Sequence, residues 1–181
     1  MSPTLRPPLP VPVALLLLGL ALACGGKDDS GQPPDVPEGT WQDSACGLLW
    51  QQELGTTAHW VEAADYCDTL DLGDLAWRLP GIGELRCLVN GCQDTATDGD
   101  CEVTDECTGV GCYIAACEGC GDASGDIGCY WSNQLGTTCD DPLWSASAQG
   151  DEAAWVLHFQ DASISHDIIT EAHYVRCVSN G

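Results

Sequence analysis

The sequence predicts an α+β fold, and three observations carry that reading. Strand-like alternation of apolar and polar residues is confined to the two ends of the ordered region, helical periodicity fills Thr57–Leu88, and nothing recurs at a fixed period. A cysteine-rich insertion, 87–129, separates the helices from the last strands. One domain, 40–181, is expected, preceded by two segments that do not belong to it.

The first of these, residues 1–23, carries Arg6, no acid, and an apolar run from Val11 to Ala23 broken early by Pro12. That is the pattern of a secretory signal. At about 1.5 Å per residue, roughly a dozen residues fall well short of the ~30 Å hydrocarbon core, so a transmembrane helix is the weaker reading. The run ends Leu20-Ala21-Leu22-Ala23-Cys24, which resembles the lipobox of bacterial lipoproteins, with Ala21 where that pattern prefers Leu. The resemblance implies cleavage before Cys24 and lipidation of its thiol. Residues 24–39 are Gly, Pro and Asp with few apolar side chains and are expected to be a flexible tether.

Within the domain, Thr40–Gln52 reads as the first strand, with Leu48 and Trp50 alternating. Trp60, Ala63, Ala64 and Cys67 then fall at i, i+3, i+4 and i+7, one helical stripe aimed at the core. Glu62, Asp65 and Asp68 face solvent, Thr56 or Thr57 is the expected cap, and Gly73 the expected left-handed stop. A connector, Trp77-Arg78-Leu79-Pro80, leads to a second helix with Gly81 as N-cap, Glu84 at the third position, and Ile82, Leu85 and Leu88 or Val89 buried. Near the C-terminus, Ala154–Phe159 sets Trp155, Leu157 and Phe159 on one face and Val156 and His158 on the other. Gln160–Ser163 is the turn, Ser163–Ile169 the return strand, and Tyr174–Val178 a closing strand.

Charge excludes several function classes. The chain is at −23, and removing residues 1–23 takes away only Arg6, leaving −24 with Lys27, Arg78, Arg86 and Arg176 as its bases. No Lys or Arg occurs from Cys87 to Val175. Nucleic acid, anionic lipid headgroups and sulfated polysaccharide all need clustered cations, so none is an expected partner.

Of 13 cysteines, twelve remain once Cys24 is assigned to lipid. An even number in an exported chain reads as disulfides, and Cys117-Glu-Gly-Cys120 is read the same way and not as zinc ligands. Most pairs are expected within 87–139, and Cys46 has no evident partner. The insertion also holds nine carboxylates without a base, which raises the expectation of weak Ca²⁺ binding with Asp98, Asp100 and Asp105 as ligands, although the spacing is not that of an EF-hand. No catalytic constellation stands out. Ser165-His166-Asp167 are sequence neighbours, whereas a triad converges from separate elements.

Taken together, Gly47-Leu48-Leu49-Trp50-Gln51, His59 to Cys67, Trp77-Arg78-Leu79-Pro80-Gly81-Ile82-Gly83-Glu84-Leu85, Leu143-Trp144-Ser145-Ala146-Ser147, Ala154 to Phe159 and Tyr174-Val175-Arg176-Cys177-Val178 resemble the bacterial Lcl C-terminal domain family, a domain of unknown function, over about residues 40–179. The resemblance implies a C-type-lectin-like arrangement in which the first helix is tied to the last strand, hence a Cys67–Cys177 disulfide. It also implies Gly at the hairpin turn where Ala162 stands, and a surface-exposed binding or adhesion module. The calcium-dependent sugar motif of C-type lectins is absent from this sequence. The functional expectation is a non-catalytic protein, lipid-anchored at the bacterial outer membrane or cell surface, that binds an unknown protein or glycan ligand. The alternative is a secreted enzyme dependent on a divalent cation.

Overall fold

The computed structural model describes residues 36–121 and 127–181. The expected signal segment, Cys24, the tether to residue 35, and the insertion carboxylates Asp122 and Asp126 lie outside the described residues. The last four tether residues do not behave as a tether. Val36 packs on the core, and Pro37 accepts hydrogen bonds from the Thr40 amide and hydroxyl at 3.1 and 2.6 Å. Pro37 also covers Gly73 so closely that an added Cβ there would meet it at 2.6 Å.

Thr40–Gln52 is a hairpin and not one strand. β1 (Thr40–Gln42) pairs with β2 (Leu49–Gln51), with Trp41 opposite Trp50. The cause is Asp43, whose buried carboxylate accepts from the Cys46 amide (2.6 Å), the Leu48 amide (3.1 Å) and the Trp50 indole (2.9 Å), curling 43–48 into a turn. β2 also pairs with β8 (Val178–Ser179), completing a three-stranded sheet.

β3 (Thr57–Ala58) follows, and then α1 (Trp60–Asp68), with Ala63 and Cys67 fully buried as the stripe predicts. Its N-cap is His59, without a side-chain cap, because Thr57 is committed to β3; Trp60 N–H instead donates to Ile169 O at 3.2 Å. The helix stops at Asp68, where the Thr69 hydroxyl donates to Asp65 O at 2.8 Å, so Gly73 (φ +67°) bends the connector without capping the helix.

α2 (Ile82–Cys87) starts as expected, with Gly81 N–H donating to Glu84 Oε2 at 2.9 Å. Glycine offers no side chain for the reciprocal bond to the Glu84 amide, and Ser147 caps a different free amide of the first turn: its hydroxyl accepts from Ile82 N–H at 2.9 Å. Arg78 grips Glu84 through two bonds of 2.6 Å. Burial works against the Glu84 carboxylate, but the Arg78 hydrogen bond, the Gly81 amide and the Arg78 charge together hold its pKa below the usual range.

The second sheet runs β3-β7-β4-β5-β6, with β4 (Leu143–Gln149), β5 (Ala153–Leu157), β6 (Ile164–Ile168) and β7 (His173–Tyr174). All pairings are antiparallel except β4 with β7. β5 is covered on both faces. Trp155, Leu157 and Phe159 meet α2 and the insertion, while Ala154 and Val156 face Ala63, Cys67, Trp144, Val175 and Cys177. The content is therefore α+β, with small antiparallel sheets and two helices, and no helix among the described residues is long and apolar enough to cross a membrane.

Six disulfides staple this frame: Cys46–Cys87, Cys67–Cys177, Cys92–Cys120, Cys101–Cys117, Cys107–Cys112 and Cys129–Cys139. Cys67–Cys177 spans 110 positions, a loop whose closure contributes about 4 to 5 kcal/mol by chain entropy. The hairpin turn after β5 places Ala162 in the left-handed region, φ +61°. That strained residue is held from outside by the insertion: Cys120 N–H donates to Asp161 O at 2.9 Å, and Gly119 sits where any Cβ would strike Asp161 O.

Candidate functional site

Two arginines are buried, Arg86 on the core side of α2 and Arg176 between β7 and β8, and each gathers backbone carbonyls around it. Arg176, between β7 and β8, is wholly buried, yet no carboxylate among the described residues bonds it. One terminal nitrogen donates to Gln51 O (2.6 Å) and Gln52 O (2.7 Å), the other to Leu135 O (2.9 Å), and the guanidinium lies 4.8 Å from the Trp131 ring. Nε has no hydrogen-bond partner among the described residues. Burial pushes the guanidinium pKa down to about 9, which leaves it charged at neutral pH. This demand interrupts the expected closing strand: turning Arg176 toward Gln51 and Leu135 splits Tyr174–Val178 into β7 and β8.

The segments tied by Arg176 border an open cleft of about 760 Å³. Its lining includes Gln51–Leu54, at and just after the end of β2. Leu70–Leu72, beyond α1, Glu38–Gly39, and the turn Asn133–Leu135 with Gly136 and Thr138 complete it. Ser132 accepts from Gln134 N–H at 3.3 Å, and the Trp131 indole donates to Gly136 O at 3.0 Å, which fixes that turn. Gln51 is clamped too, donating to Tyr66 Oη at 2.8 Å while its Oε1 accepts from Cys177 N–H at 3.3 Å. Gln51 is thereby bonded to the backbone of one half of the Cys67–Cys177 bridge. Carboxamides (Gln51, Gln52, Asn133, Gln134), carboxylates (Glu38, Glu53, Asp71) and leucines (Leu54, Leu70, Leu72, Leu135) dominate the lining. The volume is that of a small-ligand site.

Arg86 plays the corresponding part in the insertion. Its guanidinium donates to Thr95 O (3.0 Å), Val103 O (2.9 Å), Ala96 O (2.9 Å) and Gly99 O (3.2 Å). Burial lowers its pKa, and the nearby Asp98 charge opposes that shift. These converging carbonyls belong to the loop expected to hold Ca²⁺, and the cation they meet is Arg86. Asp98 lies beside it in a left-handed turn (φ +67°), Asp100 points to solvent, and Asp105 accepts from the Ser147 hydroxyl at 2.7 Å, at the start of α2. Among the described residues no three His, Cys, Asp or Glu side chains are grouped to hold a metal ion.

Strand alternation keeps Ser165, His166 and Asp167 from acting together. Ser165 pairs with His158 Nε2 (2.9 Å), His166 packs edge-on to Trp155, and Asp167 reaches His173 Nε2 (3.0 Å), whose Nδ1 is 2.8 Å from Asp141. His158 is held below the usual histidine pKa, first by burial.

The sequence reading passed over Arg86 and Arg176 as functional residues. For Arg86 the available signal was a base four positions after Ile82, on the core stripe of α2; Arg176 falls opposite Val175 and Cys177 in the strand alternation, which gives it no such signal. The family model described as the Lcl C-terminal domain matches residues 39–179. A comparison with curated proteins finds no match.

Proposed function

The chain belongs to the Lcl C-terminal domain family, and we propose that it is an exported, lipid-anchored, non-catalytic binding module of the bacterial envelope that takes its ligand in the cleft beside Arg176. The observation that carries this reading is the cleft itself. Three chain segments distant in sequence are pinned to one buried guanidinium and one disulfide, which gives a preorganised, polar recess of ligand size. We read the fold as C-type-lectin-like, supported by the helix tied to the last strand, the second helix and the β5–β6 hairpin. The twelve paired cysteines support an oxidising location. The anchor is Cys24, on the evidence of the residues that precede it. Sulfated polysaccharide and nucleic acid are not the ligands. Among the described residues Arg86 and Arg176 are buried and Arg78 is bound to Glu84, leaving no free surface cation to meet them.

Two measurements test the reading. Intact-mass analysis of membrane-extracted protein is expected to find acyl chains on Cys24, and Cys24→Ala to release soluble protein; an unlipidated mature chain that begins elsewhere removes the anchor. For the cleft, the full chain is screened on glycan and peptide arrays beside Gln134→Trp, which places a large ring on an exposed lining position. A ligand lost in that variant, and retained when the exposed Gln93 is changed to Trp instead, is the expected result. Ligands that bind both variants like wild type, or divalent-cation-dependent hydrolase activity, would refute the proposal.

A further inference from the structure

A glycine that follows Asn or Asp can close its own amide nitrogen onto the preceding side chain as a cyclic imide, because no Cβ stands in the way of the attack. The chain has three such pairs, Asn90-Gly91, Asp98-Gly99 and Asn180-Gly181. In sequence they are alike, and the fold separates them.

In two of the pairs the groups that must react are already engaged. Gly181 N–H donates to Ser179 Oγ at 3.3 Å, and the Asn180 carboxamide oxygen accepts from Arg78 at 3.1 Å. Gly99 N–H donates to Ala96 O at 3.0 Å, and a Cβ added at Gly99 would strike the Gln93 and Asp94 carbonyls, so that turn is closely packed. Asn90-Gly91 is different. Both residues are exposed, in the irregular stretch between α2 and Cys92. The backbone is fixed on one side only, where Asn90 N–H donates to Tyr130 O at 2.8 Å. Neither the Asn90 carboxamide nor the Gly91 N–H has a hydrogen-bond partner among the described residues. Gly91 sits at φ +96°, which glycine adopts without strain, and the position of its missing Cβ meets only Tyr130, at 3.6 Å or more.

We infer that Asn90 is a site of spontaneous deamidation, and that of the three pairs it is the one the folded protein leaves free to react. The Gly91 nitrogen gives its proton to hydroxide and attacks Asn90 Cγ. The new N–C bond forms as the Cγ–Nδ2 bond breaks, and Nδ2 takes a proton from water and leaves as ammonia. Water then opens the imide at either carbonyl, giving aspartate or, with the backbone rerouted through the side chain, isoaspartate. Nothing is oxidised or reduced, and water is the only co-reactant. The product carries one more negative charge and, in the iso form, an extra backbone methylene just ahead of Cys92, which is buried and joined to Cys120. The junction between α2 and the insertion is therefore where the folded protein changes covalently with age.

The test is ageing of the purified full-length chain, disulfides intact, at neutral and at mildly alkaline pH, followed by peptide mapping that separates the Asn, Asp and isoaspartate forms. A second sample, reduced and unfolded in guanidinium chloride, is aged alike and gives each pair its rate without the fold. Asn90 is expected to convert in the folded chain at a rate close to its unfolded one, and faster at the higher pH. Folding is expected to slow Asn180 and Asp98 at least about tenfold relative to their own unfolded rates, because their hydrogen bonds must open first. Asn90→Gln, whose longer side chain has to close a larger ring, should leave that peptide unconverted while Asn180 behaves as in wild type. Folding that slows Asn90 as much as the other two, conversion at Asn180 or Asp98 ahead of Asn90 in the folded chain, or an Asn90 rate that does not rise with pH overturns the inference.

Discussion

Replacing Arg176 with Met should destabilise the protein by about 3 to 4 kcal/mol. Met keeps the unbranched apolar stem and removes the guanidinium, so the volume change is small and the effect falls on hydrogen bonding. Three backbone carbonyls, Gln51 O, Gln52 O and Leu135 O, lose donors at 2.6, 2.7 and 2.9 Å. A buried polar group left without its partner costs about 1 to 3 kcal/mol, which brackets the change at roughly 3 to 9. Two considerations pull it to the lower end. The cleft lies alongside, so water can reach some of the freed carbonyls, and the variant no longer has to desolvate a charge, a cost of several kcal/mol. For a domain of this size the melting temperature should fall by roughly 10 °C. The assay is urea unfolding with all disulfides intact, comparing wild type, Arg176→Met and Arg176→Lys. Lysine restores the charge but lacks the fork that spans Gln51–Gln52 and Leu135, so it should recover less than half of the loss. A loss below about 1 kcal/mol in Arg176→Met, or a lysine variant equal to wild type, would refute the claim that this network, and not the charge or the bulk, holds the cleft together.

Further outcomes follow from the other buried groups. Arg86→Met should leave four insertion carbonyls unpaired and make 92–105 the first segment cut in limited proteolysis, whereas wild type resists cleavage there. Because Arg86 occupies the centre of that loop, Ca²⁺ and Mg²⁺ at equal ionic strength should raise the wild-type melting temperature equally; a clear preference for Ca²⁺ would restore the Asp98, Asp100 and Asp105 site. His158 titrates below its unfolded value of about 6.5, so between those two pKa values the unfolded chain binds the extra proton. Stability due to this group is therefore full above pH ~6.5 and falls as the pH drops through that window, levelling off below the folded pKa. His158→Gln, measured against wild type from pH 8 to 5, should remove that part of the acid sensitivity, and parallel curves would show that His158 contributes none of it.

What the sequence determined by itself was local: which side of each element is buried, and the charge of the whole. Ala63 and Cys67 on one helical stripe, Gly81 with Glu84 at the start of α2, Ile82, Leu85 and Leu88 beneath it, and Trp155, Leu157 and Phe159 along one face of β5 all follow from periods of 3.6 and 2 set by backbone geometry. Tertiary structure decided everything that depends on which distant atoms converge. Asp43 made a hairpin of an apparent strand because three donors surround its carboxylate, and Cys46 found Cys87 only once that hairpin lay against the end of α2. Asp98, Asp100 and Asp105 share a charged loop in the sequence, yet in space Arg86 and Ser147 separate their tasks. The cleft depends on Arg176 bonding carbonyls 125 and 41 positions away. Backbone carbonyls are present at every residue and carry no sequence signal, so a buried cation that uses them as its only hydrogen-bond acceptors leaves no pattern to read until the chain has folded around it.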